Sequence, residues 1–276
     1  MQKAEDSTLA GAATKAPLIE FRGVGKTFWT DEKEVEAVRR IDLVARGGEF
    51  ISLIGPSGCG KSTLLNMTAG LFHPTVGDVL YDGHKVTGFN LKTGYMTQND
   101  HLLPWRTVVG NLSVPLEIQG LPRAQIRERV DDLINLVGLK GFEKSYPSQL
   151  SGGMRKRAAL ARLLAYNPDT LLLDEPFAAL DAQLRLKMQI ELLSICRRLN
   201  KTIIFVTHDL DEAAALSDRI AIFGSRPGTI IKIIASPLPR DRDLLRLRHD
   251  QDYVQLTAEL WDMLTPGLAS TRGEAA

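Results

Sequence analysis

Residues 50–71 read FISLIGPSGCGKSTLLNMTAGL, and this stretch decides the fold. Its apolar start, Phe50 to Ile54, predicts a short buried strand, and the residues from Lys61 onward predict a helix. Between them, residues 55–62 fit the pattern G-x-x-x-x-G-K-[ST]. A strand, a glycine-rich loop of this pattern and a helix, in this order, predict a phosphate-binding loop within an α/β protein.

The predicted phosphate-binding loop assigns a role to most of its residues. Glycines allow the backbone to curl, so that successive N–H groups point at a phosphate. We expect Lys61 to reach the β- and γ-phosphates of a nucleoside triphosphate, and the Ser62 hydroxyl to bind Mg²⁺. Cys59 occupies a free position of the motif, and we interpret it as tolerated rather than reactive. The residues predicted to contact the nucleotide here are Gly55, Pro56, Ser57, Gly58, Cys59, Gly60, Lys61, Ser62 and Thr63.

A second stretch, residues 150–181, places a Ser-Gly-Gly turn directly before a predicted helix. It reads LSGGMRKRAALARLLAYNPDTLLLDEPFAALD. The backbone amides at the start of a helix lack partners within the helix and attract anions. The turn therefore predicts a further phosphate contact, made by Ser151, Gly152 and Gly153.

The same stretch continues into an apolar strand that ends in two adjacent carboxylates. Leu171, Leu172 and Leu173 form the apolar run, and Asp174 and Glu175 follow it. We expect Asp174 to hold Mg²⁺ through water. We expect Glu175 to orient or deprotonate the water that attacks the γ-phosphate. An acidic turn after a strand is common, so this prediction depends on the phosphate-binding loop upstream.

Two further polar residues carry weak signals when they are taken alone. His208 follows the apolar run TIIFVT, and Gln98 lies in the run GYMTQND. A single histidine after a buried strand is more often structural than functional, and most glutamines in loops simply contact solvent. The local pattern therefore leaves the function of both residues open.

In this order, the motifs resemble the nucleotide-binding subunit of ABC transporters, and the resemblance covers roughly residues 18–240. Many NTPases share the phosphate-binding loop, whereas its combination with LSGGM, LLLDEP, ALD and the histidine is specific. The resemblance implies that Gln98 contacts Mg²⁺ and signals to a membrane partner, and that His208 touches the γ-phosphate of ATP. It also implies that Asp181 belongs to a loop that contacts a second subunit.

The resemblance extends to the base of the nucleotide. An aromatic side chain near the start of the chain stacks on adenine in this family, and Phe28 fits that position. Phe28 replaces the usual Tyr and keeps the stacking face, and Val38 is expected to support the base. The family's commonest signature ends in Gln, where this chain has Met154. We expect Met154 to be tolerated, because the backbone amides and the Ser151 hydroxyl make the contacts with phosphate.

The resemblance further implies that two subunits pair head to tail, and we expect a homodimer. Ser151 and Gly153 of one subunit would then bind the γ-phosphate held by the other subunit. ATP would join the subunits and its hydrolysis would release them, which gives a two-state cycle that a membrane protein can use. The implied partners are a second ATPase subunit, an integral membrane permease and, indirectly, an external solute-binding protein.

Composition and charge limit the possible partners and the cellular location of the protein. The chain has 276 residues and a formal net charge of +1. General nucleic-acid binders are usually clearly basic, so no nucleic-acid partner is expected. Two cysteines, Cys59 and Cys196, form no disulfide framework and are typical of a reducing compartment. No apolar run reaches the roughly 18 residues that a membrane-spanning helix needs. We therefore expect a peripheral protein at the cytoplasmic face of the inner membrane, held there by a partner.

The alternation of predicted strands and helices favours an α/β fold. We predict a P-loop NTPase core with a mostly parallel sheet, an antiparallel β subdomain on its N-terminal side and an inserted helical subdomain at about 100–165. The predicted organisation is a flexible tail at 1–17, the ATPase domain at 18–240, and a C-terminal helix and tail at 241–276. Residues 241–264 are predicted to form an amphipathic packing helix.

Within the ABC group, the chain most resembles importer subunits for small oxidised anions. This finer resemblance depends on residues His101 to Thr107 and Pro239 to Arg242. The predicted function is ATP hydrolysis that powers uptake of nitrate, a sulfonate, taurine or a relative through a separate permease. An ABC exporter or lipid extractor would share every catalytic motif.

A non-transport ABC ATPase, acting in DNA repair or on ribosomes, is a further alternative. Repair proteins usually insert a long coiled coil, whereas only about 50 residues separate Gln98 from Ser151. Ribosomal proteins usually carry two ATPase halves, and this chain has one. Both features favour a transport function.

Overall fold

The computed structural model describes residues 16–29, 33–178 and 180–270, and side chains are described as far as Leu264. The tail predicted for 1–17 lies almost wholly outside the described residues, and so does Ala179 of the second stretch.

The described residues contain ten strands and seven α-helices. In chain order the strands are β1 (Pro17–Trp29), β2 (Glu34–Arg46), β3 (Phe50–Ile54), β4 (Val76–Tyr81), β5 (His84–Lys85), β6 (Thr93–Met96), β7 (Thr170–Asp174), β8 (Thr202–Val206), β9 (Arg219–Phe223) and β10 (Ile230–Ala235). The helices are α1 (Lys61–Thr68), α2 (Val108–Ile118), α3 (Arg123–Leu136), α4 (Gly152–Tyr166), α5 (Ala182–Arg198), α6 (Leu210–Leu216) and α7 (Gln251–Ser270).

The N-terminal strands form an antiparallel sheet of four strands in the order β2-β1-β4-β5. The long strands β1 and β2 pair with each other, and β4 lies on the other side of β1. One face of this sheet is buried, because Ile19, Phe21 and Val79 share a hydrophobic cluster with Leu64 and Leu65 of α1. The antiparallel subdomain predicted on the N-terminal side is therefore confirmed.

The central sheet has six strands in the order β10-β9-β3-β8-β7-β6. Neighbouring strands run parallel except β10 and β9, which confirms the mostly parallel sheet. Alternate side chains of β3 enter opposite cores: Ile51 and Leu53 join the cluster shared with the antiparallel sheet, whereas Phe50 and Ile54 join the larger core on the helical side. Because both faces are covered, β3, β7 and β8 are buried along their whole length.

Parallel pairing brings the carboxyl ends of β3, β6, β7 and β8 to one edge of the central sheet. The phosphate-binding loop follows β3 and Gln98 follows β6. The carboxylate pair stands at the end of β7, and His208 follows β8. The fold therefore gathers four segments that are far apart in the sequence.

Helices α2, α3 and α4 form the helical block that the sequence predicts at about 100–165. α2 begins after Thr107, whose hydroxyl oxygen accepts a hydrogen bond from the backbone N–H of Gly110 at 3.2 Å. α3 begins directly after Pro122, and its Leu133 side chain is buried in the larger core. The same core contains side chains of α4, so the block is packed onto the helical side of the central sheet.

The C-terminal helix starts later than the sequence predicts. The helix predicted over 241–264 begins only at Gln251, because the Asp250 carboxylate accepts hydrogen bonds from the backbone N–H groups of Asp252 (2.9 Å) and Tyr253 (3.2 Å). The helix is a packing element, and its side chains in the larger core are Tyr253, Leu256 and Leu260. Neither α7 nor any other helix in the described part of the chain is long and apolar enough to cross a membrane.

Candidate nucleotide-binding site

The phosphate-binding loop connects β3 to α1. The Lys61 side chain folds over the loop, and its ammonium group donates hydrogen bonds to the carbonyl oxygens of Gly55 and Pro56, both at 2.8 Å. Gly60 has a φ of 96°, and a Cβ atom there would lie 2.3 Å from Cγ1 of Val38. Only glycine fits this position, and the lysine charge is held directly beside the curled backbone.

A second loop, between β9 and β10, supports the phosphate-binding loop from the side. The Gly228 N–H donates to the carbonyl oxygen of Ala37 at 2.9 Å, and a Cβ at Gly228 would lie 1.8 Å from the carbonyl oxygen of Cys59. Arg226 Nε donates to the carbonyl oxygen of Gly58 at 3.2 Å. The sequence does not indicate this contact, because Arg-Pro-Gly between two strands resembles an ordinary turn.

Asp174, the last residue of β7, is buried beside the start of α1. Its carboxylate accepts a hydrogen bond from the Ser62 hydroxyl. Burial raises the pKa of Asp174 above its ordinary value, and the Ser62 hydrogen bond and the Lys61 charge offset part of this rise. The structure therefore brings together Ser62 and Asp174, two of the three residues predicted to contact Mg²⁺, from separate elements. Gln98, the third, donates its amide to Glu175, and its contact with Mg²⁺ stays a prediction.

Glu175 meets two of the other predicted site residues. Gln98 Nε2 donates to Glu175 Oε2 at 3.3 Å, and His208 Nδ1 lies 3.4 Å from Glu175 Oε1. The backbone of Glu175 has a φ of 49°, which is uncommon for a residue other than glycine, and its N–H donates to the carbonyl oxygen of Val206 at 2.9 Å. Three loops thus converge on one carboxylate.

The donor atoms at this edge of the sheet fit Mg²⁺. The Ser62 hydroxyl and the Asp174 carboxylate are adjacent, and both supply the oxygen ligands that Mg²⁺ prefers. Among residues 16–29, 33–178 and 180–270, no group of three or more His, Cys, Asp and Glu side chains could hold a metal ion. A Mg²⁺ ion that is bound largely by phosphates and water needs only one or two carboxylates, so the two findings agree.

The Ser-Gly-Gly turn forms the start of α4. Ser151 is the N-cap, and its hydroxyl oxygen accepts a hydrogen bond from the Met154 N–H at 3.2 Å. Gly152 and Gly153 are the first residues of the helix, where backbone N–H groups have no partner within it. Asp181 caps α5 in the same way, through Leu184 N–H at 3.0 Å. Ser151 and Asp181 are both exposed, so each can face another molecule.

Met154 has a packing role. Its side chain is half-buried and lies against the larger hydrophobic core. A flexible thioether fills such a position well. The departure from the usual Gln is therefore accounted for by contacts within the chain.

The predicted base-stacking residue lies at the end of β1. The Phe28 ring is half-buried and packs against the Phe72 ring in a T-shaped arrangement, with ring centroids 5.6 Å apart. Lys26 Nζ lies 5.2 Å from the Phe28 centroid. Val38 is fully buried and its side chain packs against Gly60, so it supports the phosphate-binding loop. Its support of the base stays a prediction.

Basic side chains of α4 hold the loop that contains Gln98. Arg155 Nε donates to the Asp100 carboxylate at 3.1 Å, and Arg162 donates to the carbonyl oxygen of His101 at 2.8 Å. The Lys156 ammonium group donates to the carbonyl oxygen of Gln98. Burial lowers the pKa of Lys156, and the neighbouring carboxylates oppose this shift. The helix that begins at the Ser-Gly-Gly turn is therefore tied to the Gln98 loop.

Comparison with known proteins agrees with this geometry. The family profile described as ABC transporter matches residues 38–178. An uncharacterized ABC transporter ATP-binding protein of Methanocaldococcus jannaschii is 47% identical over 82% of this chain and 84% of its own length. An aliphatic sulfonates import ATP-binding protein of Bacillus anthracis is 40% identical over 90% of this chain and 96% of its own length.

Solved structures give the same result. A dimeric post-hydrolysis state of the ATP-binding cassette MJ0796, bound to ADP and Pi, superimposes with a TM-score of 0.73 at 31% identity. It covers 79% of this chain and 98% of its own. Fold, motif order and relatives agree, and the chain belongs to the ABC transporter family as an ATP-binding protein with the P-loop ATPase fold.

Proposed function

We propose that the chain is the ATP-hydrolysing subunit of an ABC importer, which powers the uptake of a small oxidised anion through a separate permease. The observation that carries this proposal is the contact of Gln98 and His208 with Glu175, beside Asp174 and the phosphate-binding loop. The relatives named as aliphatic sulfonates import proteins support the choice of an importer and of the solute class. A sulfonate such as taurine is the first candidate, and nitrate is the second.

In the proposed reaction, the loop amides and Lys61 bind the β- and γ-phosphates of ATP. Glu175 orients the attacking water and accepts its proton, while His208 donates a hydrogen bond to the γ-phosphate and stabilises the developing charge. Gln98 holds the Glu175 carboxylate by its amide group, 3.3 Å away. Mg²⁺, held by Ser62 and Asp174, would neutralise charge on the phosphates.

The proposed active unit is a head-to-tail dimer. The exposed turn at Ser151, with the free amides of Gly152 and Gly153, is suited to bind the γ-phosphate held by a second copy. Asp181 would contact the second subunit from the neighbouring loop. The dimeric state of the similar cassette structures supports this arrangement.

The proposed permease site is a groove beside the Gln98 loop. A cavity of about 350 Å³ lies between β6, α2 and α4, and its apolar lining includes Leu103, Val114, Ile118 and Tyr166. Ile118 is 78% exposed, so an apolar surface is available to a partner. We propose that a permease segment docks here, which would place the chain as a peripheral subunit at the cytoplasmic face of the membrane. The helical block at about 100–165 would then carry the permease contact within an ATPase domain at 18–240.

Substitution of Glu175 by Gln tests the catalytic proposal. The amide keeps the shape of the side chain but accepts no proton, so ATP turnover should fall by at least about 100-fold. ATP-bound dimers should then accumulate, because the step that releases them is blocked. Phosphate release and size-exclusion chromatography with light scattering measure the two effects. Glu128, which is exposed on α3, provides the matched control as Glu128→Gln.

The solute and the direction of transport need a separate experiment. The chain should co-purify from membranes with a permease, and the complex in liposomes should take up taurine or nitrate only with ATP. Recovery of ribosomes or DNA in place of a permease, or solute movement in the opposite direction, would overturn the importer proposal. A Glu175→Gln chain with normal turnover and no dimer would overturn the catalytic assignment.

A further inference from the structure

Arg185, in the first turns of α5, contacts the two loops that carry Asp181 and His208. Its guanidinium Nη1 donates to the Asp209 carboxylate at 3.0 Å, one residue after His208. Its Nη2 donates to the carbonyl oxygen of Leu180 at 3.1 Å, one residue before Asp181. A single side chain therefore joins the loop proposed to face the second subunit to the loop proposed to contact the γ-phosphate.

A buried carboxylate holds the other side of the His208 loop. Glu212, in α6, is 5% exposed, and its Oε2 accepts a hydrogen bond from the Thr207 hydroxyl at 2.7 Å. The Thr207 oxygen in turn accepts a hydrogen bond from the Asp209 N–H at 3.1 Å. Gln189 of α5 donates to the other Glu212 oxygen at 3.3 Å. The residues on both sides of His208 are thus fixed by one network, in which few atoms are free to move.

The planar geometry of arginine makes this contact selective. A guanidinium group directs its N–H bonds in a rigid fork, so an acceptor on one loop fixes where the acceptor on the other loop must lie. Arg185 Nε also lies 3.9 Å from Glu212 Oε1, which adds a charge attraction to the same group. The Arg185 side chain is only 33% exposed, so solvent screens these contacts partially.

We propose that Arg185 is a positioning residue that couples the Asp181 loop to the His208 loop. When a second subunit closes on Asp181, the shift of Leu180 is transmitted through the guanidinium to Asp209 and sets His208 against the γ-phosphate. This inference rests on the proposed function, since it needs both the dimer and the contact of His208 with ATP. Arg185 lies outside the sequence motifs LSGGM, LLLDEP and ALD.

Arg185→Met and Arg185→Lys separate this role from simple stabilisation of α5. Met keeps the apolar part of the side chain, whereas Lys keeps the charge but lacks the planar set of N–H donors. Arg198→Met is the matched control, because Arg198 is an exposed arginine on the same helix. For each variant, phosphate release at saturating ATP gives kcat, and a fluorescent ATP analogue gives the nucleotide dissociation constant in the Glu175→Gln background.

A positioning role predicts a loss of kcat at unchanged nucleotide affinity. We expect kcat to fall at least about tenfold in Arg185→Met, with the dissociation constant within about twofold of the parent. Arg185→Lys should lie between Met and the wild type, and Arg198→Met should match the wild type. In the Glu175→Gln background, Arg185→Met should still dimerise with ATP, since the signature turn and the phosphate-binding loop are untouched.

Three results would overturn the inference. One is wild-type kcat in either Arg185 variant; another is nucleotide affinity that weakens in step with kcat. The third is an Arg198→Met chain as impaired as Arg185→Met. If Arg185→Met does not fold, Arg185→Lys decides alone by the same comparison of kcat with affinity. Failure of the proposed function is distinguishable, because then the wild-type chain itself would not hydrolyse ATP.

Discussion

The burial of Asp174 lowers the stability of the folded chain at neutral pH. Its carboxylate is buried, and burial is the main cause of its raised pKa. A buried acid with a raised pKa contributes most stability below its ordinary titration range, and this contribution is lost as the pH rises through the folded-state pKa. The charged form therefore lowers the stability of the chain in the absence of nucleotide, and this same charge is what we propose binds Mg²⁺.

We expect Asp174→Asn to stabilise the nucleotide-free chain at pH 7.5 by on the order of 1 kcal/mol, because the amide carries no buried charge. The gain should shrink at pH 4.5, where the wild-type carboxyl is increasingly neutral as well. ATP turnover should be lost at both pH values. Urea unfolding at each pH measures the stability difference, and Asp132→Asn, at an exposed position of α3, is the control. A gain that is equal at both pH values would contradict this account.

Gly228 supports the phosphate-binding loop without being part of it. A Cβ atom there would lie 1.8 Å from the carbonyl oxygen of Cys59, so Gly228→Ala must displace one of the two backbones. We expect the nucleotide dissociation constant to rise at least about tenfold, which corresponds to about 1.4 kcal/mol. Gly47→Ala is the control, since no atom lies within 4 Å of a Cβ at Gly47 and its φ lies outside the left-handed region. The thermal unfolding of each variant is measured as well, so that a loss of affinity is separated from a loss of stability. Unchanged affinity in Gly228→Ala would show that the contact has no bearing on the site.

For single residues, the sequence predicts the contacts that a motif makes through its own side chains. It does not predict the contacts that residues elsewhere in the chain make with the motif. Lys61 and Ser62 follow from a fixed spacing, because the loop that they serve is local. Arg226 lies 168 residues from Gly58, and Arg185 lies 24 residues from Asp209, so nothing in their neighbours along the chain indicates these contacts. The packing of Met154 does not follow from the motif, because its side chain contacts a core that only the folded chain forms.

Among the elements, α4 connects the Ser-Gly-Gly turn, which is proposed to bind phosphate, with the loop that contains Gln98. Its first residues form the Ser-Gly-Gly turn, and its basic side chains hold the Gln98 loop through Asp100 and His101. Asp100 also accepts a hydrogen bond from the Leu102 N–H at 3.1 Å, so one carboxylate shapes the loop and attaches it to the helix. A movement of α4 is therefore expected to move Gln98.

Asp100→Ala should release this loop from the helix. We expect amide hydrogen exchange in residues 98–102 to accelerate at least about tenfold, because Arg155 and the Leu102 N–H both lose their acceptor. Exchange in α1 should stay unchanged. Glu117→Ala provides the control: it removes a more exposed ion pair with Arg106 at 2.9 Å in the same helical block. Equal exchange in the two variants would mean that α4 does not hold the loop.

The C-terminal helix illustrates where periodicity misleads. Apolar residues recur at helical spacing through 241–264, and the pattern predicts one helix. The chain instead holds Arg240 and Arg242 against Asp218, and Asp250 caps the helix that follows. Local hydrogen bonds and long-range ion pairs outweigh a continuous helix here, and neither is visible as a period in the sequence.

For the whole molecule, the fold class follows from alternating strands and helices, and the site follows from the rule that parallel strands end at one edge. The order of the strands in the central sheet cannot be predicted from the same rules. β3 lies between β8 and β9, two strands that come more than 140 residues later. Strand pairing over such a distance depends on how the apolar faces of strands and helices pack together in the folded chain. Residues from the whole length of the chain contribute to both cores, so no local pattern predicts the order.

If the proposed head-to-tail dimer is the active unit, two inactive variants should restore each other's activity. Ser151→Asp keeps a helix cap but repels phosphate, and Lys61→Met leaves the phosphate-binding loop without its cation. Each variant alone has two defective sites. In a mixed dimer, the loop of the Ser151→Asp chain meets the turn of the Lys61→Met chain, and this site is intact. Random pairing makes half the dimers mixed, each with one intact site of two, so turnover should recover to about a quarter of the wild-type rate if the sites act independently. A mixture no more active than its components would contradict a site shared between subunits.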